Sequence, residues 1–173
     1  LAIASLIGCG GFSAITGSSV ACASSMGRIC VPEMLRYGYS PQLATSTVAV
    51  GGTLGSLIPP SVLFIIYGLF TETSISRLFL AGVVPGILSL AGFILTVVIW
   101  VKLRPNVAPA VTVTYTRAEK TAAAIKAWPA VMLMTIIIGG IYGGIFSVNE
   151  SAAVGAFMAF LIALLRGRLS MSA

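Results

Sequence analysis

The sequence has 173 residues, of which 58% are hydrophobic and only 8% are charged. A soluble domain has about 25% charged residues, so these few charges cannot cover a water-exposed surface of this size. The composition therefore indicates an integral membrane protein and excludes a soluble one. The net charge of +6 does not indicate a nucleic-acid partner, because the basic residues flank apolar segments.

Residues that carry out chemistry are scarce. The sequence has no His, which removes the commonest metal ligand and general base. Cys9, Cys22 and Cys30 lack CxxC spacing, so we expect small buried residues rather than a disulfide set. Catalysis inside a membrane needs buried titratable groups, and the few carboxylates fall at predicted loops or helix ends. The sequence therefore argues against an enzyme and predicts no cofactor.

Residues 1–31 are apolar at both ends, with the small polar stretch SAITGSSVACASS between. Each apolar arm has about half of the 20 residues that a spanning helix needs. We therefore expect a re-entrant helical hairpin that turns at ITGSS. A single spanning helix whose beginning is missing is the alternative. Since the chain begins inside an apolar run, we expect an internal piece of a longer permease-like protein.

Residues 41–70 are long enough to span, but GGTLGSLIPPS interrupts them at the centre. Non-helical backbone at membrane depth is tolerated only where it lines a cavity or is buried in protein. We expect a broken transmembrane helix. Its first half is predicted to end at Gly51 and Gly52, and its second half to begin at Pro59 and Pro60, since proline suits a first helical turn.

Three later segments are apolar enough to cross a membrane as continuous helices. They are 76–103, with Pro85 as a kink, 128–146, with Trp128 at the interface, and 149–165. The fold class that the sequence predicts is thus all-α and multi-pass, with a re-entrant hairpin, a broken helix and continuous helices.

Residues 105–127 form the predicted connector between two of these spans. Its second half, RAEKTAAAIKA, has the pattern of an amphipathic arm helix at the membrane surface. Before the last span, Ser147 and Glu150 have the spacing of a capping box.

Positive charge orients the segments. All Lys and Arg residues except Arg77 lie at the end of the hairpin or after it, in or next to the connector, or after the last span. Cytoplasmic loops carry an excess of such residues, so we expect these three regions inside the cell. The short loops at 71–77 and 147–150 then lie outside.

The two interruptions offer the same chemistry. A helix C-terminus exposes carbonyl oxygens, which together with hydroxyl groups suit a hard cation such as Na⁺. The predicted ion-binding residues are Thr16, Gly17, Ser18, Gly51, Gly52, Thr53 and Gly55. A helix N-terminus attracts an anion, and the predicted substrate-binding residues are Ser19, Ser56, Pro59 and Pro60. A site for a cation and a carboxylate together is typical of a cation-coupled carrier.

Several blocks of the sequence resemble one family. The stretch from GGFSAITGSS to GTLGSLIPPS is similar to the hairpin and broken helix of the large membrane (DctM-like) subunit of tripartite ATP-independent periplasmic (TRAP) transporters. LFLAGVVPGIL and GGIYGGIFSVNESAAVGAF resemble the next segments in the same order. The sequence departs from the family at Gly51 and Gly52, where Ser-Ser or Ala-Ser is frequent, and at Cys22, where an acidic residue sometimes occurs.

The resemblance implies a Na⁺-coupled secondary transporter in the bacterial inner membrane that imports organic acids of the C4-dicarboxylate or sugar-acid type. It implies a periplasmic substrate-binding protein and a small membrane subunit (DctQ-like) as partners, besides the membrane lipid. It also implies an inverted-repeat ion-transporter fold, of which this chain holds the first repeat, with 149–165 opening the second.

Two other functions stay open at this point. A citrate or dicarboxylate symporter of the same superfamily would work without a binding protein. A channel could be built on the re-entrant segment, and saturable, Na⁺-dependent uptake would separate a carrier from it.

The predicted orientation can be tested by labelling single cysteines in intact cells. We expect residues 105–125 to be labelled only from the cytoplasm, and 71–75 and 147–150 only from outside, because of the distribution of basic residues. Labelling of position 120 only from outside would overturn the orientation and the hairpin with it.

Overall fold

The computed structural model describes residues 1–109 and 116–165. The chain divides into two compact units, Leu1–Val113 and Thr114–Ala173. The described residues form helices and turns without strands, and the protein is an all-α integral membrane protein. Residues 110–115 of the predicted connector, together with Arg166 and Arg168, lie outside the described residues.

The first unit contains five α-helices and a 3₁₀ turn. They are α1 (Ala2–Thr16), α2 (Ser19–Arg36), α3 (Pro41–Leu57), α4 (Val62–Phe70), α5 (Ile75–Leu103) and the 3₁₀ turn Pro105–Val107. The hairpin thus consists of α1 and α2, and α2 continues past residue 31 to Arg36. Pro85 lies inside α5, which is one continuous helix.

Helix α3 lies at the centre of this unit and packs against α1, α2, α4 and α5. Its buried face includes Leu43, Val48 and Leu54. Glycines allow the closest approaches: a Cβ at Gly51 would lie 2.9 Å from Cys9 Sγ, and one at Gly52 would lie 2.8 Å from Ala23 Cβ. The hairpin therefore packs directly on the backbone of α3.

The break in the second helix lies later than the sequence predicts. Helix α3 runs through Gly51 and Gly52 to Leu57, and α4 begins only at Val62. Glycine costs about 1 kcal/mol inside a helix and proline about 3 kcal/mol. Because close packing holds the glycines inside α3, the prolines rather than the glycines end it. The predicted helix end at Gly51–Gly52 was wrong.

The start of α4 also differs from the prediction. Pro59 and Pro60 lie before the helix, and Ser61, with an extended backbone, is the residue at the N-cap position. A residue that precedes proline is pushed away from helical backbone angles, which applies to Pro59. The prolines therefore form the connection between the two halves instead of the first turn of the second.

The second unit contains α6 (Arg117–Tyr142) and α7 (Val148–Leu165). A separate arm helix ending before Trp128 was expected, but the structure has one continuous helix through Trp128 and Pro129. A single proline removes one N–H, and the Ala-rich sequence before it favours helix. The helix also ends at Tyr142 instead of 146, because Gly144 turns the chain with a φ of 68°.

Glu150 and Ser147 form the predicted capping box at the start of α7. The Glu150 carboxylate accepts from the Ser147 N–H at 2.7 Å and from its hydroxyl at 2.8 Å. The Ser147 hydroxyl in turn accepts from the Glu150 N–H at 3.3 Å. The N–H groups of Ser147 and Glu150 are thus satisfied.

Three helical segments among the described residues are long and apolar enough to cross a membrane. They are Pro41–Thr71, which contains the break, Ile75–Leu103 and Val148–Leu165. Ala2–Thr16 and Trp128–Tyr142 are apolar but shorter. The lengths therefore agree with a multi-pass membrane protein.

Glu150→Ala should loosen the first turn of α7 by about 1 kcal/mol, since it removes the acceptor of the capping box. Hydrogen exchange of residues 147–151 should become faster. Asn149→Ala, at a neighbouring exposed position, is the control and should leave exchange unchanged. Equal exchange in both variants would show that the box does not stabilise this helix end.

Candidate functional site

The tip of the hairpin is a tight turn between α1 and α2. Gly17 has a left-handed backbone, with φ 61° and ψ 14°, which glycine adopts without the steric cost of a Cβ. Its N–H donates to the Ser13 carbonyl oxygen at 2.8 Å and closes the last turn of α1. The Ser18 hydroxyl accepts from the Ala21 N–H at 3.3 Å and caps α2. The hairpin thus turns within ITGSS, as the sequence predicts, with Gly17 ending α1 and Ser18 capping α2.

Helix α1 ends in unbonded carbonyl groups at this turn. The chain reverses at Gly17, so the following N–H groups do not reach back into α1. Among the described residues, no hydrogen bond reaches the carbonyl oxygens of Ala14, Ile15 and Thr16. The Thr16 hydroxyl is already used, as it donates to the Phe12 carbonyl oxygen at 3.0 Å. The helix end is therefore a set of hydrogen-bond acceptors at the negative end of the helix dipole.

The break exposes a second set of carbonyl groups. Pro59 and Pro60 have no N–H, so Gly55 and Ser56 lose the donors that a continuing helix would supply. The Gly55 carbonyl oxygen accepts no hydrogen bond from any described residue. Helix α3 thus also ends in available acceptors.

Ser61 bridges the two halves of the broken helix. Its side chain is fully buried, with 0% of its surface exposed, and its hydroxyl donates to the Ser56 carbonyl oxygen at 2.9 Å. The Ser56 hydroxyl itself donates to the Thr53 carbonyl oxygen at 2.7 Å. The prolines deprive two carbonyls of a backbone donor. The Ser56 carbonyl gains the Ser61 hydroxyl as a new donor, whereas the Gly55 carbonyl has none among the described residues.

The hairpin tip and the break lie against each other. The Val62 N–H donates to the Gly17 carbonyl oxygen at 3.1 Å, and a Cβ at Gly17 would overlap the carbonyl oxygen of Pro60. A Cβ at Gly55 would lie 2.7 Å from both the Ser18 carbonyl carbon and the Ser19 nitrogen. The carbonyl ends of α1 and α3 and the N-termini of α2 and α4 therefore converge at one place.

Two helix N-termini at this contact carry unbonded donors. In α2 the first hydrogen bonds begin at Ala21 and Cys22, which leaves the N–H groups of Ser19 and Val20 without an acceptor among the described residues. In α4 the Ile65 N–H bonds to Ser61 at 3.2 Å, so the N–H groups before it, except that of Val62, are likewise unbonded. Such groups favour an anion.

Ser13 is a candidate that the sequence reasoning missed. Its side chain is 0% exposed, and its hydroxyl has no hydrogen-bond partner, although a buried hydroxyl normally has one. It lies one turn beyond Cys9 and Gly10, whose positions face α3, and its own carbonyl binds Gly17. The four-residue spacing from Cys9 was visible in the sequence, but the burial was not.

Thr47 has the second unpartnered buried hydroxyl, with 1% of its surface exposed. It lies one helical turn before Gly51 on the same face of α3, and thus on the side of Gly51 away from the break. Ser13, in contrast, lies in the last turn of α1 next to the contact.

Several predicted ion-binding residues do not offer the groups expected of them. Gly51 and Gly52 lie inside α3, where their carbonyls are part of the helix. The Gly17 carbonyl is occupied by Val62, and the exposed Thr53 donates its hydroxyl to the Val50 carbonyl oxygen at 2.6 Å. The acceptors near the contact are instead those of Ala14–Thr16 and Gly55.

The contact is built from backbone groups and hydroxyls. Within the described ranges, no cluster of His, Cys, Asp or Glu side chains could hold a metal ion. Cys9, Cys22 and Cys30 are free thiols, of which the first two are buried. The available ligands are thus neutral oxygens, which bind hard cations rather than transition metals.

The comparisons with known proteins identify a family. The family model described as "Tripartite ATP-independent periplasmic transporter, DctM component" matches residues 1–173. C4-dicarboxylate TRAP transporter large permease proteins (DctM) of Pseudomonas aeruginosa and Vibrio cholerae are 44% and 42% identical over 95% and 94% of this chain. The ectoine TRAP transporter large permease protein TeaC of Halomonas elongata is 36% identical over 94% of it.

These relatives are permease subunits of transporters, and the chain covers only part of each. It spans 38%, 35% and 37% of the lengths of the three relatives, respectively. The match of the family model over the whole chain nevertheless decides the assignment, and the chain belongs to the DctM family, the large membrane component of TRAP transporters.

Proposed function

We propose that this chain contributes a site for a coupling Na⁺ ion and part of the substrate site in a secondary transporter that imports organic acids. We also propose that it is not an enzyme. The observation that carries the proposal is the Val62 N–H···O=C Gly17 hydrogen bond of 3.1 Å. It brings two carbonyl ends and two N-terminal ends of helices to one place. A cation and an anion can then bind side by side without any charged side chain.

The cation would lie between the ends of α1 and α3. Its ligands would be the carbonyl oxygens of Ala14–Thr16 and Gly55 with the hydroxyl of Ser13. These groups have no other hydrogen-bond partner among the described residues. A buried hydroxyl without a partner is costly, and a bound Na⁺ would remove that cost. Ser18 and Thr53 would support the geometry rather than bind the ion.

The carboxylate of the substrate would lie on the other side of the contact. The unbonded N–H groups of Ser19 and Val20 open α2, and those of Leu63 and Phe64 lie in the first turn of α4. Each helix N-terminus carries about half a positive charge. The sequence predicts that Ser56, Pro59 and Pro60 bind substrate. In this arrangement they would form the break that positions the N-terminus of α4, rather than bind the carboxylate themselves.

Coupling between ion and substrate follows from the shared contact. The Gly17–Val62 hydrogen bond joins a residue of the carbonyl side to one of the N-terminal side. If Na⁺ holds the ends of α1 and α3 together, it also fixes the two N-termini for the anion. Each ligand would then raise the affinity for the other by the same factor.

The family supports a proposal for the substrate class and the partners. The DctM relatives at 42% and 44% identity are named for C4-dicarboxylates, whereas the ectoine relative is at 36%. We therefore place C4-dicarboxylates first. A periplasmic substrate-binding protein and a small DctQ-like membrane subunit would complete the transporter in the bacterial inner membrane. The match to TRAP transporters supports this assembly over a symporter that works without a binding protein.

Ser13→Ala tests the cation site in the complete permease with its partners, reconstituted in vesicles. Uptake of a C4-dicarboxylate should depend on a Na⁺ gradient, and the variant should raise the half-saturating Na⁺ concentration about tenfold, equivalent to about 1.4 kcal/mol. Thermal stability without Na⁺ should not fall, since the lost hydroxyl was unsatisfied.

Ser24→Ala is the matched control, because Ser24 is exposed and its hydroxyl donates only to its own helix at 3.2 Å. It should leave Na⁺ saturation unchanged. If the unsubstituted transporter takes up substrate equally well without Na⁺, the proposed function is wrong. If Ser13→Ala leaves the half-saturating Na⁺ concentration unchanged, Ser13 is not a ligand of the ion.

Gly55→Ala should reduce uptake by at least about tenfold, because a Cβ only 2.7 Å from the hairpin backbone forces the tip and the break apart and overpacking costs about 1–3 kcal/mol. Gly11→Ala is the control, since nothing lies within 4 Å of its Cβ position. The amount of protein in the membrane is measured in parallel. Normal uptake by Gly55→Ala would mean that the contact is not needed for transport.

A further inference from the structure

Two glycines of α5 pack against the residues that flank the break. Gly82 and Gly86 are buried and lie one helical turn apart. A Cβ at Gly86 would lie 3.0 Å from Ile58 Cγ1. A Cβ at Gly82 would overlap the Phe64 ring and would lie 2.9 Å from the Leu57 carbonyl oxygen. The two glycines thus form a groove in α5 that receives the residues on both sides of the prolines.

These contacts reach the candidate site through a short stretch of chain. Leu57 is the last residue of α3 and lies two positions after Gly55, whose Cα faces the hairpin tip. Ile58 also approaches α1, since a Cβ at Gly10 would lie 3.8 Å from Ile58 Cδ1. Any shift of Leu57 or Ile58 away from α5 therefore moves the end of α3 toward the hairpin.

We propose that Gly82 and Gly86 are positioning residues that set the separation between the carbonyl end of α3 and the hairpin tip, and with it the affinity for the coupling ion. The proposal rests on the proposed function for its link to Na⁺. The two glycines meet the Phe64 ring, the Leu57 carbonyl oxygen and Ile58, none of which is a proposed ligand group. Their part is to leave α5 without side chains where the break must sit.

The sequence supports a specific packing role for this pair. Glycine is unfavourable inside a helix, and α5 holds Gly82 and Gly86 beside Pro85 in one continuous helix. Gly92, in the same helix, has nothing within 4 Å of its Cβ position. Only the first two glycines meet the break, so a substitution can separate loss of the groove from a general effect of alanine in α5.

The experiment compares Gly82→Ala, Gly86→Ala and Gly92→Ala in the complete permease with its partners. Two quantities are measured: hydrogen exchange of residues 58–64, which contain the Val62 N–H, and the half-saturating Na⁺ concentration of uptake. Exchange reports the local opening of the break whether or not Na⁺ is the coupling ion. If Gly82→Ala does not reach the membrane, Gly86→Ala alone tests the proposal. It is the milder change, because the atom closest to a Cβ at Gly86 is a single side-chain carbon at 3.0 Å.

We expect both groove variants to exchange faster at 58–64 and to need about tenfold more Na⁺, since a displacement of about 1 Å has effects of that size or larger. Gly92→Ala should change neither quantity. Combining Gly86→Ala with Ile58→Ala should restore part of the Na⁺ affinity, because the contact is then relieved.

Faster exchange in a transporter that shows no Na⁺ dependence in any variant would uphold the positioning role and overturn the assignment of the ion. Exchange and Na⁺ saturation within twofold of the unsubstituted protein in both groove variants would overturn the positioning role itself. A loss of Na⁺ affinity that also occurs in Gly92→Ala would do the same, because that position has no contact with the break.

Discussion

The absence of two consecutive backbone N–H groups, at Pro59 and Pro60, is the constraint from which the rest of this arrangement follows. It ends α3, removes the backbone donors that the carbonyls of Gly55 and Ser56 would have in a continuing helix, and requires a new helix start at Val62. The new start supplies the one N–H that reaches the hairpin, at Gly17. Without the prolines, residues 41–70 would form a continuous helix with neither free acceptors nor a donor for the tip.

Close backbone approach is the second requirement, and glycine meets it on each side of the contact. Gly55 admits the backbone of Ser18 and Ser19, Gly17 admits Pro60, and Gly82 admits Leu57. Overpacking any of these positions would force shifts worth about 1–3 kcal/mol. Gly51 and Gly52 have the same packing function one to two helical turns before the end of α3.

The sequence allowed the hairpin turn, the capping box and the existence of the break to be predicted, because each depends on local chemistry. Gly17 and Ser18 ended and started helices as their conformational preferences require. The position of the break does not follow from the Gly and Pro pattern alone, because both residues disfavour a helix but only proline removes a donor. Ser13 was missed since a serine in an apolar helix becomes informative only when its burial and its lack of a partner are known. Whether the arm and the apolar segment after Trp128 form one helix depends on the competition between one proline and a run of alanines, which local rules do not resolve.

The chemistry of the contact also bears on which ion it suits. The groups that converge there are carbonyl oxygens, N–H groups and the hydroxyls of Ser13 and Ser61, and none of them titrates near neutral pH. A proton-coupled carrier needs an ionisable side chain that gains and loses a proton. Within the first unit the carboxylates lie elsewhere: Glu33 is next to Arg36 at the end of α2, and Glu72 is in an exposed turn. Under the proposed function, this half of the site would bind through fixed dipoles, which favour a metal cation over a proton.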